Sequence, residues 1–215
     1  MVSFRLVDGK LEHDHYSRNG YTGRGRALAF NKIKINVTVM RSQMTVKDQN
    51  IDRFLRVDHA GELGAKRIYE GQIAVLKNHP VAEEIQHMKD QEQEHLDTFE
   101  NLLNDYQVRP SVMTPFWNVA GFALGAVTAA MGPKAAMACT IAVEEVIGEH
   151  YNDQASTLDD DEAELRATLL KFRDEELEHR DTAVDHDGEQ AVGYPVMRQI
   201  IQVGCRTAIK LAERY

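Results

Sequence analysis

From about Asn50 onward the apolar positions recur at steps of three and four, the period of an amphipathic helix. Leu55, Asp58, Glu62, Ala65, Tyr69, Gln72 and Leu76 define one face. Asn78-His79-Pro80 closes it, because the residue before a proline disfavours helical backbone. A second face, Ile85, Met88, Glu92, His95, Phe99 and Leu102, predicts a helix from about Val81 to Tyr106. Pro110 and Pro115 then interrupt the chain, and the stretch from Pro110 to Pro133 carries no charged side chain. The helical period returns from roughly Ala135 to Ser156, with Met137, Ile141, Glu144, Ile147 and Tyr151 on one face. Asp159-Asp-Asp-Glu162 suits a loop leading into the electropositive start of another helix. That helix displays Leu165, Leu169, Phe172, Glu176, His179 and Ala183, and stops at Asp185-His-Asp-Gly188. A last amphipathic helix runs from about Pro195 to Arg214, and no segment carries a strand pattern. The pattern predicts an all-α bundle over residues 44–215, with an apolar crossover and an extra C-terminal helix.

Charge changes the picture at the N-terminus. Residues 1–43 hold eight Lys/Arg against three Asp/Glu, leaving 17 basic and 31 acidic residues for the rest. We read the basic segment as a disordered leader or targeting sequence, although Asp8, Glu12 and Asp14 depart from the acid-poor composition of a transit peptide. The acidic remainder argues against nucleic acid as a partner, since it could not neutralise phosphates. Cys139 and Cys205 are too few for a disulfide framework and lie in apolar surroundings, as small buried hydrophobes do.

The helical faces contain a repeat. Asp90-Gln-Glu-Gln-Glu-His-Leu-Asp-Thr98 and Asp174-Glu-Glu-Leu-Glu-His-Arg-Asp-Thr182 agree at six of nine positions, and each holds Glu-x-x-His. Residues three apart share a helix face, so each stretch presents a carboxylate beside an imidazole. The repeat extends further: Glu62, Tyr69 and Gln72 have the spacing of Glu144, Tyr151 and Gln154. The chain therefore reads as two helical hairpins, each a lone Glu followed some thirty residues later by Glu-x-x-His. Glu144 rather than Glu145 matches the register of Glu62. Glu94 and Glu178 face outward, and Asp90 and Asp174 are candidates to support the neighbouring carboxylates.

Glu62, Glu92, Glu144 and Glu176 occupy seam positions where a bundle would place Leu or Ile. A single unpaired buried carboxylate costs several kcal/mol, and four together demand a cationic partner. Two divalent metals would balance four carboxylates, with His95 and His179 neutral. Mixed oxygen and imidazole donors with bridging carboxylates suit iron or manganese better than structural zinc.

One Glu from each of two helices plus Glu-x-x-His from each of two others is the ferritin-like carboxylate pattern. Within that superfamily the chain resembles the demethoxyubiquinone hydroxylases, the di-iron monooxygenases of ubiquinone biosynthesis. The resemblance rests on Arg56-Val-Asp-His-Ala-Gly-Glu62, Arg67-Ile-Tyr69, Trp117-Asn-Val-Ala-Gly-Phe-Ala-Leu-Gly125, Ala138-Cys-Thr-Ile-Ala-Val-Glu-Glu145 and Lys171-Phe-Arg-Asp-Glu-Glu-Leu-Glu-His179. It covers about Thr45 to Tyr215 and leaves residues 1–43 without a usable match.

The resemblance implies a ferritin-like four-helix bundle that uses O₂ to hydroxylate the quinone ring of a polyprenyl lipid. Two iron ions would be held by Glu62, Glu92, His95, Glu144, Glu176 and His179, with electrons ultimately from NADH. It implies catalytic roles for His150 and Tyr151 and a substrate-holding role for Arg53. Where some members carry a tyrosine in the last helix this chain has Lys210, so that tyrosine's role does not transfer. Expected partners are the polyprenyl quinone, a membrane surface, a lipid-presenting protein, other ubiquinone-biosynthesis proteins and a second copy in a homo-oligomer. The expected location is peripheral, on the matrix side of the mitochondrial inner membrane or the cytoplasmic face of a bacterial one. The charge-free stretch is a marginal span and reads better as an interfacial helix anchored by Phe116, Trp117 and Phe122 than as a core-packed crossover. The competing reading is a non-catalytic ferritin-like metal-binding or membrane scaffold protein of a lipid-biosynthesis complex.

Overall fold

The computed structural model describes residues 4–7, 10–13 and 46–214, with side chains from residue 50 to residue 214. The chain divides into two units, 1–45 and 46–215. In the first, strands β1 (Phe4–Val7) and β2 (Lys10–His13) pair antiparallel, Phe4 opposite His13 and Val7 opposite Lys10. This corrects the expectation of no strand. The signal was Asp8-Gly9, a common hairpin dipeptide, after Phe4-Arg-Leu-Val7; the second strand, Lys10-Leu-Glu-His13, has no strand-forming composition of its own. The leader or targeting character expected of residues 1–43 otherwise falls outside the described residues.

The second unit is helical, as expected. Helix α1 spans Val46–Leu76 and α2 spans Ala82–Asp105. Helix α3, Thr114–Ala130, is the crossover, and α4, Pro133–Thr157, follows directly. A short 3-10 turn at Asp160–Glu162 leads into α5, Ala163–Asp185. A second, Gly188–Gln190, precedes α6, Tyr194–Ala212. Pro115, Pro133 and Pro195 sit in first turns, where the missing N–H costs no helical hydrogen bond. The α3–α4 junction needs Gly132, whose φ of 118° is strained for any residue with a Cβ.

Helices α1 and α2 form one hairpin, and α4 and α5 the other. One apolar cluster joins Leu55, Phe99, Tyr151, Leu169 and Phe172; another joins Tyr69, Ile85, Met88, Met137 and Ala183. Along all four helices the Glu and His positions fall between these two clusters. The acidic groups thus lie in mid-bundle, capped above and below by apolar layers whose large side chains contribute about 1.5–3 kcal/mol each. Ile147 and Leu102 are half-buried, and Leu103 rather than Leu102 completes the α2 face.

Helix α3 packs along α1. A Cβ at Gly71 or Gly125 would overlap the backbone carbonyls of Phe122 and Ile68, and one at Gly121 would stand 2.7 Å from the Gly64 carbonyl. The small residues of the crossover are therefore a helix-packing face. The opposite face leaves Phe116, Val119, Val127 and Met131 exposed. Of the three expected anchors only Phe116 points outward, because Trp117 lines a cavity and Phe122 lies under the Arg67 guanidinium, 5.0 Å away. Among the described residues no helix is long and apolar enough to cross a membrane. Between α1, α3, α4 and α6 lies an apolar cavity of about 370 Å³, lined by Ile68, Leu124, Val143, Ile201 and the half-buried Cys205.

Candidate metal centre

Glu62 on α1, Glu92 and His95 on α2, Glu144 on α4, and Glu176 and His179 on α5 are each at most 1% exposed. Their donor atoms form two overlapping groups, Glu62–Glu92–His95–Glu176 and Glu92–Glu144–Glu176–His179, with atoms within 4.8 Å of one another in each. Glu92 and Glu176 belong to both, so a pair of ions held here would share these two carboxylates. Glu176 already spans it: Oε1 lies 3.1 Å from His95 Nδ1, and Oε2 lies 3.1 Å from His179 Nδ1. His95 Nδ1 also stands 3.3 Å from Glu62, and His179 Nδ1 3.2 Å from Glu92.

The outer contacts repeat across the bundle. Tyr69 donates to Glu144 at 2.6 Å, and Tyr151 donates to Glu62. His95 Nε2 meets Glu175 at 3.0 Å, and His179 Nε2 meets Gln91 at 3.1 Å. Each imidazole is thus oriented by the residue that precedes the ligand Glu of the facing helix, leaving Nδ1 for the centre. Gln72 reaches Thr140 as Gln154 reaches Asp58.

The donors fit a pair of divalent cations on their own chemistry. Both oxygens of Glu92, one of Glu62 and one of Glu144 are buried and accept no hydrogen bond. Burial pushes Glu92 and Glu144 well above the usual carboxylate range and Glu62 up to about 7. Burial also opposes charge on the histidines, yet hydrogen bonds to Glu176 and the neighbouring charge of Glu62 or Glu92 raise His95 to about 12 and His179 to about 11. Glu176 suffers the same desolvation, outweighed by both imidazoles, and drops to about 2. The chain holds protons where divalent ions would displace them.

The family profile of "Ubiquinone biosynthesis protein COQ7" matches residues 49–212. The chain belongs to that family. It is 50% identical over 200 residues to the "NADPH-dependent 3-demethoxyubiquinone 3-hydroxylase, mitochondrial" of Bos taurus, covering 90% of this chain and 92% of that protein. The human protein of the same name is 51% identical over 199 residues, 89% of this chain and 92% of its own. The "3-demethoxyubiquinol 3-hydroxylase" of Rhodospirillum rubrum is 53% identical over 165 residues, 76% of this chain and 78% of its own. The bovine and human matches are longer than the stretch after residue 43, so similarity to those two proteins reaches into the N-terminal segment.

The structure brings all six expected ligands of this COQ7-family chain together and turns Glu145 away, toward Arg198 and Gln202 at 2.6 Å each. Tyr151 touches the cluster through Glu62. His150 is one step removed: its Nε2 lies 2.8 Å from Gln154 and 3.6 Å from Asp58. Arg53 is half-exposed near Glu213, at 3.8 Å, and does not reach the carboxylates. Lys210 is exposed. Glu94 and Glu178 face solvent, as expected. Asp90 and Asp174 do too, pairing with Gln86 and Arg173, which removes them as supports for the ligands. Their positions lie two residues from the ligand Glu and so on the far side of the helix. The supports that sequence reasoning missed are Gln91, Glu175, Tyr69 and Asp58. The repeat held a signal for Tyr69, which matches Tyr151 in register.

Proposed function

We propose that this chain is a di-iron monooxygenase that hydroxylates the quinone ring of demethoxyubiquinone in ubiquinone biosynthesis. What carries the reading is the join between the acidic centre and the apolar cavity. Val57, Gly61, Ile147 and Ile209 line both that cavity and a recess reaching Asp58, His150 and Tyr151, and the Tyr151 hydroxyl is bonded to Glu62. A polyprenyl tail matches the apolar walls, and its ring would stop beside the metal ligands.

An iron pair held by Glu62, Glu92, His95, Glu144, Glu176 and His179 would supply O₂-activating redox chemistry. The ring gains one oxygen atom from O₂, and the other leaves as water with two electrons and two protons. The bovine and human relatives are named for NADPH, whereas the resemblance alone implied NADH; a reduced nicotinamide nucleotide is the proposed ultimate donor. The chain's own residues set the conditions. Phe172 stacks on His95 at 4.0 Å, and Phe99 lies 6.0 Å from the Tyr151 ring, which keeps water from that end of the site. The Tyr151 hydroxyl donates its hydrogen bond to Glu62 Oε1, where it can relay a proton or electron to the centre.

The exposed apolar residues of α3, with Val196, Ile200 and Val203 of α6, support peripheral docking on a membrane that carries the substrate. We assign the mitochondrial inner membrane, matrix side; the names of the animal relatives support the mitochondrion. The same faces could receive a lipid-presenting protein, another biosynthetic protein or a second copy of the chain.

The test is anaerobic loading with Fe(II), addition of demethoxyubiquinone and O₂, and mass analysis of the lipid. A gain of one oxygen atom, absent with Glu176→Ala, is expected. Metal binding without oxygen transfer would favour the scaffold reading.

A further inference from the structure

A smaller recess shares Val57, Gly61, Ile147 and Ile209 with the apolar cavity and borders a buried polar cluster. This recess of about 30 Å³, walled mostly by apolar surface, is also lined by Asp58, His150 and Tyr151 and has room for one small group. Asp58 is 2% exposed. Its Oδ1 accepts a hydrogen bond from Gln154 Nε2 at 2.8 Å, and the same nitrogen stands 2.8 Å from His150 Nε2. An amide nitrogen carries two protons, so Gln154 donates to both and fixes His150 Nε2 as an acceptor. Asp58 Oδ2 and Gln154 Oε1 are left buried with no partner.

The matching place in the other hairpin shows what packing alone requires. There Gln72 donates to Thr140 at 3.4 Å and to the Ala136 carbonyl at 3.1 Å. A neutral hydroxyl serves that position. The carboxyl appears only in the half where the recess opens, and a buried carboxyl oxygen is unfavourable until something bonds to it.

Resting on the reading of the cavity as the route of the lipid tail, we propose that Asp58, held by Gln154, binds an oxygen substituent of the substrate ring. It thereby orients the ring against the metal ligands. The chemistry recognised is a ring carbonyl or hydroxyl. Burial lifts the Asp58 carboxyl well above its usual range, so it can carry a proton to donate or an oxygen to accept with.

Trp117, the chain's sole tryptophan, lines the cavity and supplies the readout. Iron-loaded protein is titrated anaerobically with a decyl-tailed methoxybenzoquinone, following Trp117 quenching, and decylbenzene is scored by displacing that quinone. Asp58→Ala is expected to weaken the quinone about tenfold and leave decylbenzene within about twofold, with iron content unchanged. Asp58→Asn, which keeps an acceptor for Gln154 and a donor for the ring, is expected to restore most of the quinone affinity. Equal loss of both ligands, or no loss of either, overturns the assignment of Asp58. Failure of the wild-type protein to bind either ligand overturns instead the reading of the cavity on which it rests.

Discussion

The two hairpins are alike where they meet and unlike where they look outward. Each supplies a lone Glu, a Glu-x-x-His and a tyrosine that donates to the other hairpin's lone Glu. Around this matched set the partners diverge: Glu175 behind His95 but Gln91 behind His179, and Asp58 but Thr140 against the two glutamines. Phe172 stacks on His95, where its repeat counterpart is Met88. Charge balance constrains the four carboxylates, since removing any one would leave two divalent ions incompletely compensated. Nothing so strict governs the next layer, which is where one half can adapt to a substrate.

Breaking the matched set comes first in expected effect. Glu176→Ala removes a carboxylate common to both donor groups, so hydroxylation should fall to background and bound iron should drop, read by product mass and metal analysis. Glu62→Ala and Glu144→Ala should lose iron to similar extents if the halves are equivalent at this level. Packing comes next: Gly125→Leu places a side chain into the Ile68 backbone and should cost about 3 kcal/mol, measured by denaturant unfolding.

The divergent layer should respond more gently. Glu175→Gln makes the two imidazole partners alike and should weaken iron binding about 10-fold to 100-fold by competitive chelation, whereas Gln91→Glu should not.

Proton balance offers a further check. Folding raises Glu62 from 4.5 to about 7 and the histidines from 6.5 to about 12 and 11. From pH 6.5 to 9 the folded chain therefore keeps protons that the unfolded chain releases, and stability must fall as pH rises. Glu176, lowered to about 2, acts in the opposite sense only below about pH 4.5. The melting temperature of chelator-treated protein should decline across pH 6.5–9, and excess Fe(II) under nitrogen should reverse the slope. A level midpoint in the chelated protein would contradict this. Smallest of all, Asp90→Asn and Asp174→Asn should change stability by under about 0.5 kcal/mol and leave iron content unaltered.

Much of the centre was legible because a carboxylate on an apolar stripe is conspicuous. Glu62 and Glu144 stood out as charges at positions spaced like Leu55 and Ile141, and the repeat tied them to the Glu-x-x-His pairs. Asp58 sat on the same stripe yet lacked a repeat partner of its own kind. Glu175 was hidden by its neighbours, since Asp174, Glu175, Glu176 and Glu178 form one acidic run. The crossover was read from composition, and apolarity does not say which face a helix turns inward.

By itself the sequence determined the helices, the two-hairpin repeat and the inward set of Glu62, Glu92, His95, Glu144, Glu176 and His179. Periodicity is a local property and survives in one dimension. Only the tertiary structure decided that Glu92 and Glu176 are shared, that Tyr69 and Tyr151 cross to the opposite hairpin, and that α3 seals against α1 through glycine. It alone placed beside the apolar cavity a recess that Asp58 lines. Those facts are distances between segments far apart in the chain, and they are fixed by packing, which no single helix contains.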